Sequence, residues 1–262
     1  MAKPLDGVRV LDLSKVLAGP LCAQYLGDLG AEVIKVEAVG QGDETRGWPP
    51  FPAPELGTVF LSANRNKRSI AINMKSEKGR ALVHELAKSA DVAIESFGTG
   101  VAERLAIDAD SLRALNDRLI HCSISGFGRT GPLKNSPGYD VILQAFSGIM
   151  SMTGDEGGGY IRSPISPIDQ MTGVHAFSGI LAGLLAREKS GKGASIQVSL
   201  FDTALGLLQS ANVLGTRRPT GQMRLQPRVA LSLPGVRGRG WTDHDRCRQR
   251  QSVAQVLRGR GP

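Results

Sequence analysis

One stretch carries the residue types best suited to covalent chemistry: Ser163-Pro164-Ile165-Ser166-Pro167-Ile168-Asp169-Gln170-Met171-Thr172-Gly173-Val174-His175. A proline-punctuated apolar segment runs into a helical pattern in which Met171, Val174, Phe177, Leu181 and Leu184 recur at helical spacing. Each proline fixes its own φ and pushes its predecessor toward extended geometry, so Asp169 is held at the join. Two readings stay open for its carboxylate. As a helix N-cap it accepts a backbone N–H and stabilises by ~1 kcal/mol. As an activated nucleophile it splits a difficult transfer into two easier steps.

The elements that position this stretch read as alternating strands and helices. Residues 8–13 and 31–37 are strands, joined by a tight loop around Gly19-Pro20 and a helix over residues 21–29 that Gly30 ends. Glu37 closes the second strand. This order outlines a nucleotide-binding βαβ unit, although the loop lacks G-x-G-x-x-G spacing. A Gly- and Pro-rich loop over 38–58 follows, and then a basic cluster, Asn64-Arg65-Asn66-Lys67-Arg68-Ser69, leads into a strand over 70–73. Ser76 caps a helix reaching residue 89, and strands over 91–95 and 119–124 flank helices near Arg104 and over 108–116. The spacing predicts further helices over 140–150, from Asp169 to a Gly stop after Arg187, and over 201–214, with a strand over 196–200 before the last. Gly179 and Gly183 lie one turn apart, where they permit close helix approach. The expected class is α/β, a Rossmann-like parallel sheet flanked by helices.

Gly126-Phe127-Gly128-Arg129-Thr130-Gly131 matches the dinucleotide fingerprint literally. The fingerprint needs a helix to start there, whereas Pro132 and Pro137 follow, so this is a flexible active-site loop instead. Residues 153–159 form a Gly-rich candidate lid, or a plain surface turn.

Composition narrows the classes. With 41% hydrophobic and 21% charged residues, the chain is an ordinary globular one. The expected reading includes no signal peptide and no membrane span. Cys22, Cys122 and Cys247 are odd in number and far apart, which suits a reducing cytoplasm and gives neither a disulfide framework nor a metal site. The net charge of +8 is uneven: residues 216–262 hold 11 arginines, no lysine, two aspartates and no glutamate, a net of +9, which leaves the other 215 residues at −1. The tail reads either as a nucleic-acid-binding arm or, as the near-neutral body favours, as an out-of-frame translation of GC-rich sequence over residues 224–262. The expected division is therefore 1–215 as one large domain and 216–262 as a separate tail.

The chain resembles the class III coenzyme A-transferases, the family that includes formyl-CoA transferase, carnitine CoA-transferase and α-methylacyl-CoA racemase. The resemblance rests on residues 4–13, on Ala18-Gly19-Pro20, on 28–37, on Asn66-Lys67-Arg68-Ser69-Ile70, on 126–132, and on Gly138-Tyr139-Asp140 with Gln144-Ala145. It implies that Asp169 attacks an acyl-CoA thioester and passes through a mixed anhydride and an aspartyl-CoA thioester to an acceptor carboxylic acid. Backbone N–H groups at the helix start would favour the carboxylate and stabilise an oxyanion. Ile165, Ile168 and Met171 would limit water.

By the same resemblance, coenzyme A lies along Val16 and Leu17, along Ile72, Asn73, Met74 and Lys75, along Ser96, Phe97 and Gly98, and against Arg104, with Tyr139 and Asp140 at the thioester end. Ala38 stands where the formyl-CoA transferase type has an arginine, so a phosphate contact would fall to Arg46 or Arg68. Racemase members carry a histidine where Tyr139 stands, and a tyrosine titrates too far from neutrality to serve as that base. The transferase is therefore favoured over the racemase alternative, and His84, His121 and His175 are packing or surface residues. The resemblance also implies an interlocked homodimer and a small second domain. This chain lacks text for that domain, so the expectation is that it is unstable or inactive by itself.

Overall fold

The computed structural model describes residues 3–52, 56–154 and 159–209. The expected tail over 216–262, the end of the helix expected to reach 214, and residues 155–158 of the candidate lid lie outside the described residues. Within Met1–Asp140 and Ile165–Thr203 the chain forms one unit, and Val141–Pro164 with the described residues after Thr203 belongs to a second.

The first unit is built on a six-stranded, wholly parallel sheet: β1 (Arg9–Asp12), β2 (Glu32–Glu37), β3 (Lys67–Ala71), β4 (Val92–Glu95), β5 (Ile120–Ser125) and β6 (Ser195–Ser199). Its order is β3-β2-β1-β4-β5-β6. The chain runs outward from β1 to β3 and then returns to the other side of β1, so β1 and β4 are neighbours at a topological switch point. Strand β4 is buried along its whole length and β5 along all but its last residue, as expected where helices cover both faces.

The helices are α1 (Ala18–Asp28), α2 (Thr58–Ala63), α3 (Glu77–Lys88), α4 (Val101–Arg104), α5 (Ala109–Leu115), α6 (Asp140–Phe146), α7 (Pro167–Ser190) and α8 (Leu200–Leu207). Ser76 caps α3 as expected, its hydroxyl accepting from Gly79 N at 3.1 Å, and Asp108 caps α5 through Asp110 N and Ser111 N. One core layer joins Leu11, Leu13, Val36 and Ala93 of the sheet region to Val83, Ala87 and Leu112 of α3 and α5. Leu119 belongs to that layer, while its neighbour Ile120 meets Gly183 of α7 on the opposite face.

Several boundaries differ from the sequence expectation, each for a local reason. Helix α1 starts three residues early because Pro20 falls in its first turn, where a missing N–H leaves no helical bond unmade. The loop expected over 38–58 contains a 3-10 turn, Glu44–Gly47, and α2 begins at its end. The basic cluster is no lead-in: Lys67 and Arg68 already belong to β3, an edge strand that tolerates charge. The helix expected over 140–150 breaks after Phe146 because Gly148, at φ 92°, turns the chain into the 3-10 segment Ile149–Met152. Gly179 and Gly183 face Ile196 and Ile120 of the sheet, not a helix. The glycine that lets two helices meet is Gly173: a Cβ there would lie 2.8 Å from Ala18 O and 3.2 Å from Leu21 Cβ on α1. Gly191, at φ 73°, stops α7 with its N–H on Arg187 O at 2.8 Å.

Gly173→Ala is expected to destabilise the chain by about 1–3 kcal/mol, since the backbone oxygen of Ala18 cannot retreat without shifting α1 against α7. A urea denaturation midpoint unchanged by this substitution would show that the helices have slack at the crossing.

Candidate active site

Beneath the turn that follows β1 lies a cluster of four buried charges. Asp12 Oδ2 accepts from Lys67 Nζ at 2.8 Å, and Lys35 Nζ stands 3.0 Å from Asp43 Oδ2 and 3.9 Å from Asp12 Oδ2. Lys67 also donates to Pro20 O and Asn64 Oδ1, both at 2.8 Å, and Lys35 donates to Ser14 O at 2.8 Å. Burial by itself would raise the Asp12 carboxyl, but Lys67 and Lys35 beside it hold it at about 2. Glu37, the acid that ends β2, is likewise held at about 2 against the effect of burial, by Arg46, Ser69 and the Asp43 N–H. Arg46 spends its guanidinium on that carboxylate and on the face of Phe60, 3.8 Å away, while Arg68 pairs with Glu32. Neither of the two arginines expected to replace the missing phosphate contact is thus a free cation, and Glu37 is a structural acid.

Above this cluster a cavity of about 310 Å³ opens at the carboxyl ends of β1, β4 and β5, the crevice where open parallel sheets bind ligands. Residues 15–19 form one wall and 96–99 the next, with Ile124, Ser125, Gly126 and Arg129 as the floor and 134–139 as the rim. The fingerprint-like loop starts no helix. Its neck is closed by glycine against glycine, because a Cβ on Gly138 would come within 2.2 Å of Gly126 Cα. Arg129 ties this loop to both neighbouring strands. It donates to Glu95 Oε1 at 2.6 Å, to Phe97 O at 2.8 Å and to Ser123 Oγ at 2.8 Å.

Asp169 lines the same cavity from the first turn of α7. It is not the cap. The helix begins at Pro167, after Ser166 at φ 48°, and the capping carboxylate comes from the start of α6: Asp140 Oδ2 accepts Ile168 N at 2.8 Å and Asp169 N at 2.9 Å. The expectation that helix N–H groups would favour a charged Asp169 is therefore overturned, since Asp140 occupies two of them and Gln170 N bonds Ser166 O. Burial pushes the Asp169 carboxyl up to about 7, and the charge of Asp140 adds to the push. Of the three apolar shields expected, Ile168 is fully buried and Met171 partly, but Ile165 is 64% exposed.

Among the other residues singled out from sequence, Val16, Leu17, Ser96, Phe97, Gly98 and Tyr139 line the cavity, whereas Ile72, Asn73, Met74, Lys75, Arg104 and Asp140 do not. Ile72 puts its side chain into the core and Met74 packs against it. Asn73 accepts from Lys75 N in the turn before α3, and Lys75 and Arg104 are exposed beyond the lining. Lys15, Lys134 and Arg129 line the cavity without having been anticipated; Lys15 stands next to Val16 in the chain, and Arg129 lies inside the loop already flagged. His84 and His121 bond the backbone oxygens of Ala106 and Ile107, and His175 bonds Thr203, and among the described residues no histidine lines the cavity. Among the described residues no helix is long and apolar enough to cross a membrane.

Comparison with known proteins points one way. The family described as CoA-transferase family III matches residues 5–231. Succinyl-CoA:glutarate CoA-transferase of Mus musculus is 46% identical over 207 residues, 79% of this chain and 47% of that protein. Formyl-CoA:oxalate CoA-transferase of Streptomyces avermitilis is 40% identical over 208 residues, 79% of this chain and 50% of that one. A CAIB/BAIF family protein from Brucella suis superposes with a TM-score of 0.79 at 40% identity, covering 84% of this chain and 60% of its own. The chain spans about half the length of the curated relatives it matches.

The raised Asp169 carboxyl has a signature in stability. An acid that keeps its proton to about 7 when folded, against the ordinary 3.8 when unfolded, makes the folded state bind more protons between those values. Stability then falls as pH rises from about 4 to about 7. Asp169→Asn removes this slope, so the variant gains on the unsubstituted chain over that window, by at most about 4 kcal/mol before screening by cavity water. Melting temperatures recorded from pH 4 to 8 check it; a difference that does not vary with pH would refute it.

Proposed function

The chain belongs to CoA-transferase family III, and on that premise we propose that it moves coenzyme A from an acyl-CoA donor to a small carboxylic acid, with Asp169 as nucleophile. One observation carries the reading: the Asp169 carboxyl lines the cavity at the switch point and is the acid there whose pKa is lifted toward neutrality. Its oxygen attacks the thioester carbonyl, a C–O bond forms, the C–S bond breaks, and the CoA thiolate leaves a mixed anhydride behind. The thiolate then attacks the aspartyl carbonyl, giving an aspartyl-CoA thioester and releasing the donor acid. The acceptor carboxylate attacks that thioester, and the returning thiolate takes the new acyl group and frees Asp169. The energy of the thioester is conserved at each step.

In this reading, coenzyme A runs from residues 16–17 and 96–98 toward Tyr139, and Lys134 on the rim supplies a cation for its phosphates. Lys75 and Arg104 would serve an outlying phosphate group from their exposed positions. That no histidine among the described residues lines the cavity supports transfer over racemisation, which needs a base in the neutral range. The reading also places residues 1–215 in one large domain with 216–262 apart from it, and has the complete protein act as a homodimer in the cytoplasm.

Succinyl-CoA is the donor to try first, because relatives bear it in their names. Incubation followed by mass spectrometry of peptides spanning Asp169 reads the first half-reaction without requiring full turnover. An acyl or CoA adduct is expected on Asp169, absent from Asp169→Asn, with its rate of formation rising as pH passes about 7. A folded chain that yields no adduct with any acyl-CoA would reject the assignment.

A further inference from the structure

Val16 is a β-branched residue at φ 71°, a region such residues almost never enter unless their surroundings force them. It sits on the cavity wall at the switch point. One buried carboxylate reaches its backbone. Asp43 is 3% exposed, and its Oδ1 lies 3.4 Å from Val16 N while also accepting Thr45 N at 3.0 Å and Thr45 Oγ1 at 2.7 Å. Its Oδ2 faces the Lys35 ammonium at 3.0 Å, and that ammonium donates to Ser14 O at 2.8 Å. The two groups therefore grip the turn on either side of Lys15, at residue 14 from below and at residue 16 from the side. Lys15 itself is tied outward, by its Nζ to Glu44 Oε1 at 2.9 Å and by its N–H to Ser96 Oγ at 3.0 Å.

We propose that Asp43 is a positioning residue for coenzyme A: with Lys35 it holds Val16 in the left-handed conformation, which sets the backbone of residues 15–19 against the ligand. Asp43 touches no ligand in this arrangement and acts through Val16. The inference rests on the proposed coenzyme A site, but the brace itself can be read without ligand.

Asp43→Asn keeps the shape and removes the charge, while Lys35 retains Ser14 O. Coenzyme A binding to the 262-residue chain, measured by titration calorimetry, is expected to weaken by about tenfold or more in this variant. Hydrogen exchange in the peptide covering residues 13–19 is expected to quicken, with the start of α7 unchanged. Adding Val16→Gly to Asp43→Asn should return affinity to within about threefold of the original, because glycine holds a positive φ without a brace. A merely structural loss would not be repaired by a glycine on the cavity wall.

Unchanged affinity in folded Asp43→Asn, or no recovery on adding Val16→Gly, overturns the proposal. Should Asp43→Asn fail to fold, Val16→Pro decides: proline can neither take a positive φ nor donate an N–H. This variant is expected to keep its circular dichroism spectrum and lose coenzyme A binding, and wild-type affinity in it would overturn the proposal. If the unsubstituted chain binds no coenzyme A, the proposed function fails, while the exchange rates of residues 13–19 in Asp43→Asn still settle whether the brace exists.

Discussion

Two lysines and two aspartates sit under the β1–α1 turn with almost no access to water, a state tolerable only while each charge meets an opposite one. The partners do not benefit equally. Burial depresses the Lys67 ammonium despite Asp12 beside it, whereas Asp12 is stabilised as an anion. Such clusters contribute little net stability compared with apolar residues of the same volume, yet breaking one partner leaves a buried charge at a cost of about 3–5 kcal/mol. What the arrangement fixes is geometry. Asp12 comes from β1, Lys35 from β2, Lys67 from β3, and Asp43 from the loop beyond β2, so one half of the sheet is stitched to the turn that forms the cavity wall.

The other half is stitched by a second, partly buried pair. Arg129 and Glu95 bind β4 to the loop after β5, and the guanidinium also caps carbonyl and hydroxyl oxygens at both strand ends. Between the two stitches lies the gap that the sheet topology creates, where β1 and β4 are neighbours but their following chains diverge to opposite sides. A cavity there needs no special packing defect. It needs only that the flanking turns be held apart, and the two ion clusters do that with charges rather than with bulk.

The alternating strands, the cap of α3 and the parallel sheet were legible in the sequence because they rest on local signals: Ser76 three residues before the N–H it accepts from, and the apolar text of β4 and β5. Asp169 was legible as a residue of interest, but its cap assignment was not, since the true cap, Asp140, lies 29 residues away and acts through a tertiary contact. Lys35 and Lys67 illustrate the same limit. In a strand of alternating character a lysine reads as solvent-facing, and only the pairing of β2 with β1 and of β3 with β2 brings both ammonium groups to Asp12. Gly179 and Gly183 had the right spacing for a helix crossing, but periodicity does not say which neighbour a small residue faces.

The Asp140–Asp169 pair joins the fold to the proposed chemistry. Asp140 caps α7 through one carboxyl oxygen, without which Ile168 and Asp169 N–H would be unpaired in a buried helix start. Beyond the larger effect of burial, the Asp140 charge beside the Asp169 carboxyl raises its free energy as an anion. In the proposed mechanism, acylation of Asp169, as an anhydride or as a thioester, abolishes its charge and with it the repulsion. The same contact that makes the free carboxylate basic, and hence a better nucleophile near neutral pH, thus lowers the covalent intermediates relative to it. A capping interaction needed for the helix is in this way also, on the proposed mechanism, a source of driving force for a nucleophile that works by becoming neutral.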